Sequence, residues 1–408
     1  MAFVYFFCVL AAYYVIRPVR DQLTAAVGSA QLPFFYGVVF LVMLALTPFY
    51  GALVASYQRR YFVPAVYVIC ALVTLGFVPL FHMQDVIGAR TLGVLFFVWG
   101  SVFNLFVVAV FWSFMADLLD ADQAYRLFPV IALGGSLGAI AGSALTNRFV
   151  YLIGVPSLLV VSAALLGVAI MCIFWLLRWS RRYPVVGDID RNQRVIGGSM
   201  LAGAIGTLRS PFLRQMALLM VLGDCFGTVI NALLADYSHV TYTTPEARVQ
   251  FASSIDFGSN SLQIVLQLTL ARELMIRRGP HYAIALDGLL KALIVIGLII
   301  VGAPWIAAVA VVTRASLYGM FKPAADSLYT RVDAEVRYKG KDFIDTAVWR
   351  FGDVIVTSGF NALRALGVAL PGFALVCAFA GAASGWIGWR IARAPELSAD
   401  AAANRPAR

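Results

Sequence analysis

Long apolar stretches follow one another along the chain, with only short polar gaps between them. Each stretch runs for roughly 18 residues or more, which lets an α-helix cross a hydrocarbon core of about 30 Å. The alternation over about ten residues that marks membrane β-strands is absent from the sequence. The pattern therefore predicts an all-α integral membrane protein of about twelve spans. The predicted spans are residues 2–23, 33–56, 62–83, 91–117, 125–149, 153–178, 213–236, 249–275, 282–302, 304–330, 342–365 and 370–392.

One long polar connection, from Arg178 to Arg214, divides these spans into two sets of six. Two six-helix halves joined by a basic linker are the layout of a major facilitator-type transporter, in which the substrate site lies near the middle of the membrane. We therefore predict four regions. They are an N-terminal half at 1–178, a cytoplasmic linker at 179–212, a C-terminal half at 213–393 and a disordered cytoplasmic tail at 394–408.

The placement of the basic residues predicts the orientation of the chain. Of its 31 lysines and arginines, 21 fall in the loops and tail on one side of the predicted spans and four in the loops on the other side. Cytoplasmic loops of membrane proteins are rich in lysine and arginine, so we expect both termini in the cytoplasm. The chain begins with apolar residues and shows no cleavage site, which predicts a retained first span. Arginine outnumbers lysine 27 to 4, as in proteins from GC-rich bacteria, so we expect a bacterial inner membrane.

The sequence contains no signal for a metal, a disulfide or a catalytic site. Its five cysteines lie in apolar segments without paired spacing, and its three histidines form no metal-binding motif. The net charge of +10 lies in short loops between spans, which does not indicate a nucleic-acid partner. We therefore expect a monomer that is not an enzyme, needs no cofactor, and has the lipid bilayer and a small molecule as its partners.

After the cations assigned to the loops and the ends of the spans are set aside, six cations remain inside the predicted spans and six carboxylates lie at comparable depth, and these twelve charges are the main functional signal. A charge at the centre of a bilayer costs about 2.5–3.5 kcal/mol on insertion scales, so this number predicts a polar cavity. The cations are Arg17, Arg20, Lys291, Arg314, Lys322 and Arg350, and the carboxylates are Asp21, Asp224, Asp256, Asp287, Asp326 and Asp353.

Some of these charges have spacings that allow an ion pair on one helix. Such pairs, three or four residues apart, can balance their own charges, so a structural role and a role in the cavity are both open for them. They are Arg17–Asp21, Asp287–Lys291, Lys322–Asp326 and Arg350–Asp353. Four other charges have no such partner, and we expect them to face the cavity, another helix or the substrate. These are Arg20, Arg314, Asp224 and Asp256.

Polar stripes accompany two of these unpaired carboxylates. Asp224, Thr228 and Asn231 share one face of the seventh span, and Asp256 shares a face of the eighth span with Asn260, Gln263 and Gln267. Each stripe predicts either a cavity lining or a hydrogen-bonded seam between helices. A third stripe, Gly134, Gly138 and Gly142, predicts close packing of the fifth span against a neighbour.

The spacing of Arg17 and Arg20 places two guanidiniums on one face of the first span, an arrangement that suits phosphate or carboxylate groups. Three segments then resemble one family, the ATP/ADP translocases of plastids and intracellular bacteria. The segments are Tyr14–Asp21, the pair of blocks Phe111–Ala116 and Asp122–Gly134, and the late Lys339-Gly340-Lys341-Asp342-Phe343-Ile344-Asp345.

This resemblance implies a major facilitator fold and exchange of nucleotides, with cations engaging the phosphates. Arg17, Arg20, Asp21, Lys339 and Lys341 match the motifs of the family. Two acidic positions of the family are occupied here by Gln123 and Leu234.

We predict a secondary transporter of an anionic metabolite, phosphorylated or nucleotide-like, that works by alternating access. The alternative on the same fold is a proton-coupled exporter of lipophilic compounds. The predicted substrate-binding residues are Arg17, Arg20, Asn231, Asn260, Gln263, Arg314, Lys322, Lys341 and Arg350. The predicted coupling and gating residues are Asp21, Asp224, Asp256, Asp353 and Gln123.

Overall fold

The computed structural model describes residues 1–56, 59–119, 121–182, 207–329, 340–341 and 343–393. Most of the predicted linker, the predicted tail and Lys339 lie outside these ranges. Within them the chain forms helices and no strand, and a long helix stands at each predicted span. We number them α1 (Ala2–Val27), α2 (Leu32–Ser56), α3 (Arg59–His82), α4 (Ala89–Leu118), α5 (Ala121–Ile153), α6 (Val155–Arg182), α7 (Pro211–Thr241), α8 (from Pro245–Leu266 through Gln267–Ala271 to Arg272–Arg277), α9 (Pro280–Val301), α10 (Ile306–Ser316, Leu317–Phe321 and Lys322–Leu328), α11 (Ile344–Val348 and Trp349–Ala365) and α12 (Leu370–Arg393).

Ten helices in the described part of the chain are long and apolar enough to cross a membrane. The prediction of an all-α, multi-pass membrane protein is therefore confirmed. The other two helices, α8 and α11, coincide with predicted spans but are less apolar than the ten. Because polar side chains inside a membrane protein usually face its interior, these two helices are the places to look for a site.

The predicted glycine stripe of α5 packs against the backbone of α1. A Cβ atom added at Gly138 would collide with the carbonyl oxygen of Phe7, and one added at Gly142 would lie 2.5 Å from that of Ala11. Backbone atoms cannot move aside as a flexible side chain can. The stripe is therefore a close helix–helix contact, as its spacing predicts.

Compact packing divides the chain into two units. The first unit contains Met1–Gln31, Leu41–Ile196 and Ser238–Asn260, and the second contains Leu32–Phe40, Gly197–Tyr237 and Ser261–Arg408. The apolar core of the first unit is built mainly from α1, α3, α4, α5 and α6, and a core of the second from α7 and α9 to α12. Helix α8 contributes to both units, and the change falls between Asn260 and Ser261. The division into halves at residues 178 and 213 stays a prediction.

In the described residues of the second unit, three π-helical turns interrupt helices. They are Gln267–Ala271 in α8, Leu317–Phe321 in α10 and Ile344–Val348 in α11. A π-helical turn shifts the register of the residues that follow it and occurs often at functional sites. Lys322 directly follows the turn in α10, and Asp345 lies inside the turn of α11.

Candidate functional site

Arg17 of α1 forms an ion pair with Asp256 of α8 in the first unit. The Nη1 atom of Arg17 lies 3.3 Å from Oδ1 of Asp256. The Asp256 side chain is completely buried, whereas that of Arg17 is 15% exposed. The guanidinium also lies over the ring of Tyr14, 5.4 Å from its centroid. A buried carboxylate is thus held by a cation that keeps some access to its surroundings.

Arg20 pairs with the neighbouring Asp21. Its Nη2 and Nε atoms donate to Oδ1 of Asp21 at 2.8 and 3.1 Å. The guanidinium lies 5.0 Å from the ring centroid of Phe97, and a Cβ atom at Gly100 would come within 3.2 Å of the Arg20 stem. The absence of a side chain at Gly100 therefore lets α4 support this arginine.

The pairing predicted for the first span is corrected by these contacts. Its spacing paired Arg17 with Asp21 and left Arg20 and Asp256 without a partner on their own helices. In the structure Asp21 accepts from Arg20, and Arg17 reaches Asp256 on another helix. A long arginine side chain can fold back to an adjacent carboxylate or reach across to a neighbouring helix. A prediction from the spacing of three or four residues along one helix includes neither of these contacts.

Two buried polar residues lie beside Asp256 on α8. Ser259 and Asn260 are 5% and 6% exposed, and Asn260 follows Asp256 by one helical turn. Among the described residues, Ser259 Oγ, Asn260 Nδ2 and Arg17 Nε have no hydrogen-bond partner. Buried polar groups are normally paired, so unpaired donors in one region are a signal of a site.

A second polar contact joins α8 to α5 within the first unit. The Nδ2 atom of Asn147 lies 3.1 Å from the carbonyl oxygen of Gln250, and 3.3 and 2.6 Å from the hydroxyls of Ser253 and Ser254. Asn147 is not among the residues predicted from the sequence. Its only signal is an amide near the polar end of an apolar span.

In the second unit, the polar stripe of α7 forms a seam with two other helices. Thr228 donates to Oδ1 of Asp353 on α11 at 2.8 Å, and its hydroxyl lies 3.5 Å from Oδ2 of Asp224. Arg350 approaches Asp353 Oδ2 at 3.5 Å, as its spacing predicts. A single threonine hydroxyl therefore lies between two carboxylates.

Asn231 completes this seam. Its side-chain oxygen accepts a hydrogen bond of 2.9 Å from Nη2 of Arg314 on α10. The α7 stripe therefore forms hydrogen bonds with neighbouring helices, as the interpretation as a seam predicts. Gln263 of α8 is half-buried in the second unit, and Asn260 belongs to the first.

A cluster of two lysines and two aspartates joins α10 to α11. Lys322 Nζ lies 2.7 Å from Asp345 Oδ1 and 3.5 Å from Asp326 Oδ1, and Lys341 Nζ lies 3.0 Å from Asp326 Oδ1. The predicted Lys322–Asp326 pair is therefore present, but Asp345 is the nearer partner of Lys322. Asp345 is the last residue of the segment Lys339–Asp345, but it was not predicted as a site residue.

The predicted pair Asp287–Lys291 is present and fully buried. Lys291 Nζ lies 2.9 Å from Asp287 Oδ2 and 3.3 Å from the carbonyl oxygen of Gly223, and both side chains are 1% exposed. Phe321 covers the ammonium at 5.2 Å. Neither the exposure nor the neighbours of this pair suggest a binding role.

The predicted residues Gln123 and Gln263 belong to none of these groups, and Gln123 is half-buried near the start of α5. Leu234, at the second acidic position of the family, is 8% exposed in α7. The other predicted site residues are found in three clusters: the Arg17 and Arg20 region of the first unit, the α7 seam, and the lysine–aspartate cluster of the second unit.

Comparison with known proteins finds ADP,ATP carrier proteins among the relatives of this chain. ADP,ATP carrier protein 1 of the Arabidopsis thaliana chloroplast is 24% identical over 407 residues, covering 83% of this chain and 64% of the relative. ADP,ATP carrier protein 1 of Chlamydia muridarum is 22% identical over 425 residues, covering 86% and 78%. The chain thus spans less than two thirds of the length of the chloroplast relative. No protein-family model matches it.

The fold also has solved counterparts. The crystal structure of a mutant of the nucleoside transporter NupG matches with a TM-score of 0.67 at 14% identity. The match covers 96% of this chain and 98% of that one. Together with the motifs of α1, α4, α5 and α11, these likenesses confirm both the predicted resemblance and the predicted fold. The chain is thus similar to the ADP,ATP carrier proteins, and it is a multi-pass membrane protein with the all-α fold of the solved transporter structure.

Proposed function

We propose that this protein is a secondary transporter that moves a nucleotide-type anion across the membrane by alternating access. The names of its relatives, ADP,ATP carrier proteins, support a substrate that carries phosphate groups. The name of the structural neighbour NupG, a nucleoside transporter, is compatible with a base and a sugar as further parts of the substrate. The alternative, an exporter of lipophilic compounds, has no support from these relatives.

The observation that carries this proposal is the pair of arginines in α1. Arg17 and Arg20 are 15% and 17% exposed, so their guanidiniums are partly accessible within a largely apolar helix. The planar guanidinium of arginine can donate two parallel N–H hydrogen bonds to two oxygens of one phosphate group. Asp21 and Asp256 then balance the arginines, which would otherwise be buried cations at a high cost.

The membrane location and the orientation of the chain are further parts of the proposal. We place the chain in a bacterial inner membrane with both termini in the cytoplasm, because the basic loops lie on one side of the spans. The transporter binds its substrate and releases it chemically unchanged, so none of the site residues needs a catalytic role. Gln263, Lys341 and the α7 seam remain candidates for further contacts and for coupling.

The test is a thermal-unfolding screen of the purified protein in detergent. A ligand that binds only the folded protein stabilises it by about 2.7 kcal/mol at a concentration of 100 Kd. We expect ATP, ADP or another nucleotide to raise the melting temperature, and adenosine to raise it less. The Arg20→Ala variant should lose this shift, whereas Arg277→Ala should keep it because Arg277 is 75% exposed and lies in another helix.

The same screen separates the alternatives. A shift with lipophilic cations and none with nucleotides would favour the exporter. An equal shift with adenosine and ATP would show that the phosphates are not recognised, and would contradict the role given to the arginines.

A further inference from the structure

The ion pair between Arg17 and Asp256 uses only part of the capacity of the guanidinium. The arginine contacts Asp256 through Nη1 at 3.3 Å, and its Nε has no hydrogen-bond partner among the described residues. A guanidinium that faces a carboxylate or phosphate squarely donates two parallel hydrogen bonds. Arg17 therefore keeps a donor that a second anionic group could use.

The neighbouring turn of α8 offers further donors. Asn260 is only 6% exposed, and its Nδ2 atom is unpartnered in the described part of the chain. The hydroxyl of Ser259 is in the same situation. Anionic oxygens accept hydrogen bonds from amides and hydroxyls, so an anion beside Arg17 would satisfy these groups.

We propose that the substrate anion replaces Asp256 on Arg17. In this arrangement a phosphate group binds the guanidinium and the amide of Asn260, and Asp256 acts as an internal competitor for the same arginine. The inference rests on the proposed function, because it assigns the phosphates of that substrate to a particular set of side chains. No bond is made or broken, and the exchange is between two anions at one cation.

This competition also connects binding to the packing of α8. The residues of α8 up to Asn260 belong to the first unit, and those from Ser261 belong to the second. The Arg17–Asp256 pair is a charged contact between α1 and the first part of α8. An anion that takes Arg17 removes this contact, and departure of the anion restores it. A substrate can shift a conformational equilibrium only through such a difference in contacts.

The experiment measures the Kd of ATP and of inorganic pyrophosphate for purified variants in detergent. Asp256→Asn removes the competing charge, so we expect both anions to bind about tenfold more tightly. Arg17→Ala should bind at least tenfold more weakly, and Arg17→Ala/Asp256→Asn should bind as weakly as Arg17→Ala because the competitor acts through the arginine. Asp85→Asn, which removes an exposed carboxylate from a short helix of the first unit, should leave both Kd values unchanged.

Asn260→Ala provides a second variant in case Asp256→Asn does not fold. It removes the amide donor but leaves the ion pair, and it should weaken pyrophosphate binding several-fold. An unchanged or weaker Kd in folded Asp256→Asn would overturn the proposed exchange, as would a gain that persists without Arg17. If the wild type transports nucleotides in that case, the proposed function stands. If the wild type binds no nucleotide or pyrophosphate, both proposals fail.

Discussion

At the residue scale, the partners of the charged side chains decide their roles. Arg17 and Arg20 have equal charge and similar exposure, yet one is held by a carboxylate on another helix and the other by its neighbour in sequence. A neighbouring carboxylate moves with its arginine, whereas one on another helix can separate from it. Of the two, Arg17 is therefore the residue whose pairing can report a movement of helices.

The pair Asp287–Lys291 differs from the pair of Arg17 and Asp256, because both of its side chains are fully buried and lie on one helix. Replacing Lys291 by Met leaves a carboxylate without its cation in a fully buried position, and breaking such a pair costs about 3–5 kcal/mol. We expect Lys291→Met to lower the free energy of unfolding by about this amount, and Asp287→Asn/Lys291→Met to recover most of it.

Chemical unfolding in detergent, followed by tryptophan fluorescence, measures both variants. Equal loss in the single and double variants would contradict a role limited to charge balance, because the double variant leaves no unpaired charge.

At the element scale, the helices were predictable and their contacts were not. Apolar runs long enough to cross a membrane predicted the spans, and helices also stand at the predicted spans of the less apolar α8 and α11. The periodicity of α7 predicted one polar face but gave no partner for it. Contacts such as Thr228–Asp353 and Asn231–Arg314 join residues 125 and 83 positions apart, and they depend on how the helices pack.

The π-helical turns also escaped prediction. Each inserts one residue into a helix, and no residue type requires it. The turn in α11 contains Asp345, which makes the shortest contact of Lys322. The sequence places Asp345 in the late segment that resembles the translocase family. Its pairing with Lys322 of α10 is seen only in the structure.

The glycine contact between α1 and α5 is the clearest case in which sequence spacing predicted packing. An added methyl group at Gly138 meets the backbone of Phe7, so we expect Gly138→Ala to lower the stability by about 1–3 kcal/mol. Gly167 of α6 is a matched control, because a Cβ atom there meets nothing within 4 Å. Alanine at that position should be neutral or stabilising, since it favours helix more than glycine does.

Melting temperatures of the two alanine variants in the same detergent test this difference. A Gly138→Ala variant as stable as Gly167→Ala would mean that the α1–α5 contact is looser than the structure indicates.

At the scale of the whole molecule, the units do not follow the order of the chain. Leu32–Phe40 belongs to the second unit although it precedes most of the first, and Ser238–Asn260 belongs to the first although it lies in the predicted C-terminal half. The sequence predicts halves because spans are counted in order, and it contains no signal for such exchanges. Because Ser238–Asn260 belongs to the first unit, Asp256 lies in the same unit as Arg17.

The uptake of labelled nucleotide by liposomes that contain the purified protein tests the central claim most directly. We expect wild type and Arg277→Ala to accumulate ATP or ADP, with faster uptake into liposomes preloaded with nucleotide if transport is by exchange, and Arg20→Ala to lose at least nine tenths of the initial rate. Nucleotide uptake that is absent from the wild type, or that is unchanged in both Arg17→Ala and Arg20→Ala, would contradict the account.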